Sequence, residues 1–287
     1  MNELLDLHVD AIRTGHGWTR HLSIAPQTPD GHVLFLHGLG ARADRWLHTL
    51  HVASSLAFAA HAVDLPGHGF ADRDATHRFD MDAMISFVVD VLDQLSHEPI
   101  VLVGTSFGGL IACHTAHRHP ERVRALVAVG PVGIAPFTET ATAALAASTT
   151  NSSLDAAEAK LRRVLYRREL IDAAWIAEEH AFAARSADGD GLAGLRTYLH
   201  PPDRVNSDVV TGWLDDLGTT MPTLVICGEQ DRIVDVAAIE AAVSAMPHVR
   251  YAAVPEAGHL PYVERPEQFD AILSDFLSDV LADQGAG

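Results

Sequence analysis

The chain has 287 residues, 48% of them hydrophobic, enough to fill a sizeable core and to exclude global disorder. Its formal net charge of −18 repels phosphate backbones and anionic bilayers, so no nucleic acid and no membrane is expected as a partner. No apolar run approaches the roughly 20 residues that cross a bilayer, and the acidic stretch from Met1 to Asp10 lacks the basic and apolar regions of a secretory signal.

From about His32 to Gly130, short apolar runs alternate with helical patterns. His32–Leu36, Ala60–Asp64, Ile100–Gly104 and Val123–Val129 read as strands covered on both faces, because each is almost continuously apolar. The stretches 43–57, 80–95 and 107–117 read as the helices between them, a rhythm that predicts a doubly wound, mostly parallel α/β sheet. From about Pro131 to Asn206 the strands stop, and only helical segments such as Leu154–Leu165 and Ile171–Ala184 remain. Strands return at Thr223–Cys227 and Arg250–Val254, each followed by a helix. The reading is one α/β core, 1–131 and 207–287, interrupted by a helical cap at 132–206. Cys113 and Cys227 are too few for a disulfide framework and read as buried free thiols, which points to a reducing, cytoplasmic compartment. Lys160 is the only lysine among many arginines and alanines, a bias that suggests a bacterial genome rich in G and C.

Gly104-Thr105-Ser106-Phe107-Gly108 follows the strand Ile100–Val103 and opens a helical pattern. A G-x-S-x-G in that context is the turn that exposes a nucleophilic serine. Serine needs a base, and two later loops at strand ends supply candidates: Asp231 in the loop after Thr223–Cys227, and His259 in the loop after Arg250–Val254. The order Ser106, Asp231, His259 assigns His259 as proton shuttle and Asp231 as the group that orients it. Asp235 is the rival for Asp231 but fits the N-cap of the next helix; Glu256 is a weaker rival. The chain has 18 histidines, of which His114, His117 and His119 are expected on exposed helix or loop surface, and no metal-binding spacing appears. His37-Gly38-Leu39-Gly40 follows the first core strand, so the N–H groups of Leu39 and Phe107 are the expected oxyanion hole. Phe137, Trp175, Trp213 and Leu260, with Phe107, are expected to line an apolar pocket. No cofactor is implied; the expected partner is a small-molecule substrate, and a homodimer is left open.

HGLG (37–40), DLPGHGFAD (64–72), GTSFGG (104–109), GEQDRIVD (228–235) and AGHLPYVERPEQF (257–269) together resemble the α/β-hydrolase fold family over nearly the whole chain. The resemblance implies that 132–206 covers the active site and that Asp64 is structural. The stretch 161–183 resembles the meta-cleavage-product hydrolases, which cut a C–C bond. Those enzymes carry arginine at the position aligned with Glu179, asparagine at that of Thr105 and tryptophan at that of Leu260. An anionic dienoate would meet Glu179 instead of a cation, unless Arg162, Arg163, Arg167 or Arg185 substitutes. Hydrolysis of a small ester through an acyl-enzyme therefore ranks ahead of C–C hydrolysis, with a ligand-binding protein of little turnover as the rival from outside catalysis.

Overall fold

The computed structural model describes residues 6–73, 79–135, 152–187, 197–198 and 208–283. The core alternation runs as expected: β3 (Gly31–Leu36), α1 (Leu47–Ser55), β4 (Phe58–Val63), α2 (Met81–Leu95), β5 (Ile100–Thr105), α3 (Phe107–Arg118) and β6 (Val123–Val129). Helices α4 (Leu154–Val164), α5 (Ala173–Ala187) and α6 (Leu214–Thr220) come next. The chain then returns through β7 (Thr223–Gly228), α7 (Val236–Ser244), β8 (Val249–Val254), the short α8 (Pro261–Glu264) and α9 (Pro266–Ala282).

Two strands precede these and carry no continuous apolar run, β1 (His8–Thr14) and β2 (Gly17–Ile24). They pair antiparallel, Thr14 opposite Gly17, around the two-residue loop Gly15-His16. β2 also pairs antiparallel with β4, and every later pairing is parallel, giving the order β1-β2-β4-β3-β5-β6-β7-β8. Alternate residues of each strand feed opposite faces. On β5, Ile100 and Leu102 pack with Met84 and Val88 of α2, Leu110 of α3 and Leu214 of α6. Val101 and Val103 pack on the other face with Leu50 of α1 and Phe269, Leu273 and Phe276 of α9. Being buried on both sides is why these strands read as solid apolar runs.

The parallel strands β3, β5, β7 and β8 all end at one edge of the sheet, so the loops after them converge there. Both cysteines are buried and free, as expected. Among the described residues no helix is long and apolar enough to cross a membrane.

Candidate active site

Ser106 sits between β5 and α3 with φ 55° and ψ −118°, a left-handed strain that an L-residue rarely adopts. The turn is possible because the chain crosses itself where only hydrogen fits. A Cβ on Gly104 would lie 2.2 Å from the Gly108 carbonyl oxygen, and one on Gly108 would lie 2.5 Å from that of His37. The Ser106 N–H donates to Val129 O at 2.8 Å, which pins the strained residue to β6. Phe107 opens α3, so its N–H is one of the first-turn donors without a partner inside the helix.

Across from the elbow, the loop 37–40 leaves β3. The ideal Cβ of Gly38 would stand 3.1 Å from Ser106 Cβ, so the two turns touch. His37 anchors this loop. Its Nε2 accepts the Leu65 N–H at 2.9 Å, which leaves the proton on Nδ1 to donate to Gly38 O at 2.8 Å. Complete burial pushes the His37 imidazole down to about 3, so it is a neutral strut. Asp64 is structural in the same neighbourhood: its buried carboxylate accepts from Arg20 Nε at 2.9 Å, Ala43 N at 2.8 Å and Phe70 N at 2.9 Å.

The structure brings Asp231 and His259 together. The imidazole Nδ1–H donates to Asp231 Oδ2 at 2.6 Å, with both side chains almost wholly buried. The other carboxylate oxygen accepts the Ile233 N–H at 2.7 Å, which fixes its plane. The rivals are engaged elsewhere: Asp235 caps α7 through Ala238 N at 3.0 Å, and Glu256 pairs with Arg265 at the surface. With Nδ1 committed to a carboxylate, Nε2 is left as the nitrogen able to take a proton.

A pocket at this edge holds Ser106 and His259 together, with Leu39, Thr105, Trp175, Leu260 and Tyr262 among its walls. Trp175 and Leu260 are thus where expected. Trp213 is not: its ring stacks on His117 at 4.1 Å, on the outer side of α3. Spacing alone could not tell that its helix packs on α3 rather than over the pocket. Phe107 is likewise turned into the core against Tyr198, and Phe137 lies outside the described residues. His114, expected at the surface, is buried and bonds Asp208 O at 2.8 Å through Nε2.

Glu179 was expected to face the substrate, but the two cations beside it were not. Arg45 and Lys160 line the pocket beside Glu179. Glu179 does not confront a ligand as a bare anion, as its alignment suggested. Its carboxylate meets Lys160 Nζ at 2.6 Å, Arg45 directly, and Arg42 Nη1 at 3.5 Å. Burial opposes its ionisation, but Lys160 and Arg45 prevail and hold the carboxyl at about 2. Lys160 and Glu179 lie on successive helices, α4 and α5, and no spacing in the sequence signals that they meet.

The family model described as the alpha/beta hydrolase family matches residues 33–272. The chain belongs to the alpha/beta hydrolase family. As such a hydrolase, it is similar to a 2-hydroxymuconate semialdehyde hydrolase of a Pseudomonas strain, 28% identical over 265 residues, covering 87% of this chain and 88% of the relative. It is also 32% identical over 270 residues to the pimeloyl-[acyl-carrier protein] methyl ester esterase of Chromobacterium violaceum, covering 88% and 95%. Among solved structures, the fold matches a meta-cleavage product hydrolase from Pseudomonas fluorescens with TM-score 0.78, 22% identity and coverage of 94% and 97%. A carboxylesterase from Bacillus subtilis matches with TM-score 0.74, 22% identity and coverage of 96% and 92%. The relatives and neighbours are thus named both as esterases and as hydrolases of 2-hydroxymuconate semialdehyde or of a meta-cleavage product.

Proposed function

We propose that this alpha/beta hydrolase is a serine enzyme that cleaves a small carboxylic ester through an acyl-enzyme. The observation that carries the reading is the 2.6 Å contact of His259 with Asp231, in a pocket shared with a serine on a strained elbow. In this mechanism His259 Nε2 takes the Ser106 proton as Oγ attacks the substrate carbonyl, and Asp231 stabilises the imidazolium that forms. The N–H groups of Leu39 and Phe107 receive the oxyanion. His259 then protonates the departing alcohol, and water, activated by the same base, releases the acid from Ser106. Helices α4 and α5 serve as a cap that shields the acyl-enzyme, with Trp175 and Leu260 contacting the apolar part of the substrate.

C–C hydrolysis is the second reading, favoured by the relative named for 2-hydroxymuconate semialdehyde and by one structural feature. Glu179 is offset by Lys160, Arg45 and Arg42, so an anionic substrate would not meet an isolated negative charge. The deciding experiment compares kcat/KM for p-nitrophenyl esters with that for a vinylogous diketone. Faster turnover of the diketone would reverse the ranking, and no turnover of either by the wild type would remove both.

A further inference from the structure

Helix α4 touches both loops that the proposed chemistry uses. Ser153 caps it by accepting the Ala156 N–H at 3.1 Å, and Leu161 anchors it by burial. One turn of its pocket-facing side carries Lys160, whose Nζ donates to Gly40 O at 2.6 Å while holding Glu179 on its other side. Gly40 is the neighbour of Leu39 and stands at φ 66°, in a loop with no regular secondary structure to stiffen it. At the other end, Val164 offers one of the helix's terminal carbonyls, and the His259 N–H takes it at 2.8 Å.

The chain leaving α4 is then clamped to the same loop by one side chain. Glu264 is fully buried, and the hydrogen bonds to its carboxylate come from backbone N–H groups. Its Oε1 accepts the Gly258 N–H at 2.8 Å, and its Oε2 accepts Tyr166 N at 2.7 Å and Arg167 N at 2.9 Å. Arg167 adds a bond from its guanidinium to the Glu264 carbonyl at 2.9 Å. A buried carboxylate satisfied only by backbone N–H groups fixes those groups in space, because removing it would strand all three.

We infer that α4 and its exit segment position both halves of the reaction centre, with Lys160 and Glu264 as the positioning residues. Lys160 holds the Gly38–Gly40 loop so that the Leu39 N–H points at the developing oxyanion. Glu264 holds Gly258 against residues 166 and 167, and so sets where the next residue, His259, presents its imidazole. This inference rests on the serine-hydrolase reading, in which Leu39, Ser106 and His259 act together. It assigns the inserted helices a part in the chemistry beyond covering it: a helix that swings away takes the lysine from one loop and the clamp from the other.

The test measures kcat, KM and the rate of fluorophosphonate labelling at Ser106 for Lys160→Met, Lys160→Arg, Glu264→Gln and the Lys160→Met/Glu264→Gln pair. Lys160→Met and Glu264→Gln should each lower kcat and labelling by at least about tenfold with KM within about twofold, since small displacements of reacting groups act on the transition state. Lys160→Arg should recover part of the loss, because it still donates to the Gly40 carbonyl. The pair should lose less than the product of the two single effects, because both act through one helix. Folded variants with wild-type kcat and labelling would overturn the inference. So would a raised KM with kcat preserved, which would make Lys160 a substrate contact. If Glu264→Gln does not fold, the two Lys160 variants decide. A wild type that is never labelled would bring down the serine-hydrolase reading, and this inference with it.

Discussion

Lowering the pH from 7 to 5 should cost the protein a large share of its stability, chiefly through buried histidines. His37, His61 and His68 are buried, and burial pushes each imidazole down to about 3. His61 is wedged between His21 Nε2 and His32 Nδ1, each at 3.0 Å, and both of those neighbours are also lowered by burial. A protonated His61 would carry a buried charge between two other rings. Below the ordinary histidine value of about 6.5, the unfolded chain binds protons that the folded chain refuses, so stability falls as pH falls. At pH 5 each of the three costs about 2 kcal/mol, about 6 kcal/mol together, against a total of roughly 5–15 kcal/mol for a typical protein. Asp44 and Glu179 are held low, so their contributions stay intact down to the ordinary carboxylate range and are lost only as the pH falls from there toward their lowered values. Glu264 and Asp270, raised by burial, act in the opposite direction as the pH approaches theirs. Urea unfolding at pH 7, 6 and 5 reads the effect directly. With a slope of about 3 kcal/mol per M, the midpoint should drop by about 2 M. A midpoint that stays level between pH 7 and 5 would refute the neutral burial of these histidines.

Other perturbations follow from the same geometry. Asp231→Asn should keep the fold but lower kcat by about 10⁴-fold, because an amide at 2.6 Å from His259 Nδ1 favours the wrong tautomer; steady-state kinetics at pH 8 would measure it. Glu179→Gln leaves Lys160 and Arg45 facing the pocket without their shared anion. It should lower urea stability by about 1–3 kcal/mol, discounted because both cations are partly exposed, and it should raise kcat/KM for anionic esters relative to neutral ones. Gly108→Ala would place a methyl 2.5 Å from the His37 carbonyl oxygen, and its soluble yield and near-ultraviolet circular dichroism should collapse. Burial pushes the thiols of Cys113 and Cys227 up to about 12, so a thiol reagent at pH 8 should find both only after denaturant is added.

The parts of this molecule legible in its sequence are those where burial or sterics leaves one solution. β3 through β7 announced themselves because strands covered on both faces must be largely apolar, and β8, an edge strand, was still legible from its Tyr251–Val254 run. The elbow was legible because the crossing leaves no room for a Cβ at 104 or 108, so glycines must flank the residue at 106. The β1–β2 hairpin was missed because β1 is an edge strand with few buried side chains, leaving only the Gly15-His16 loop and the alternation along β2 as signals. Trp213 and His114 were misplaced for another reason: which face of a helix is covered depends on what packs there. The exposure of a single aromatic or histidine is a tertiary fact. The Lys160–Glu179–Arg45 cluster joins α4, α5 and the segment before α1, and no local pattern connects residues so far apart. Glu264 stood in plain view in the sequence, yet its role needs the three N–H groups that only the folded chain assembles around it.

The serine nucleophile is the centre of the account, and a fluorophosphonate probe interrogates it without knowledge of the substrate. Incubated with the wild type and digested, the probe should appear on the single peptide containing Ser106, and Ser106→Ala should remain unlabelled with its fold intact. Wild-type protein that stays unlabelled while folded, or that is labelled equally after Ser106→Ala, would contradict the account.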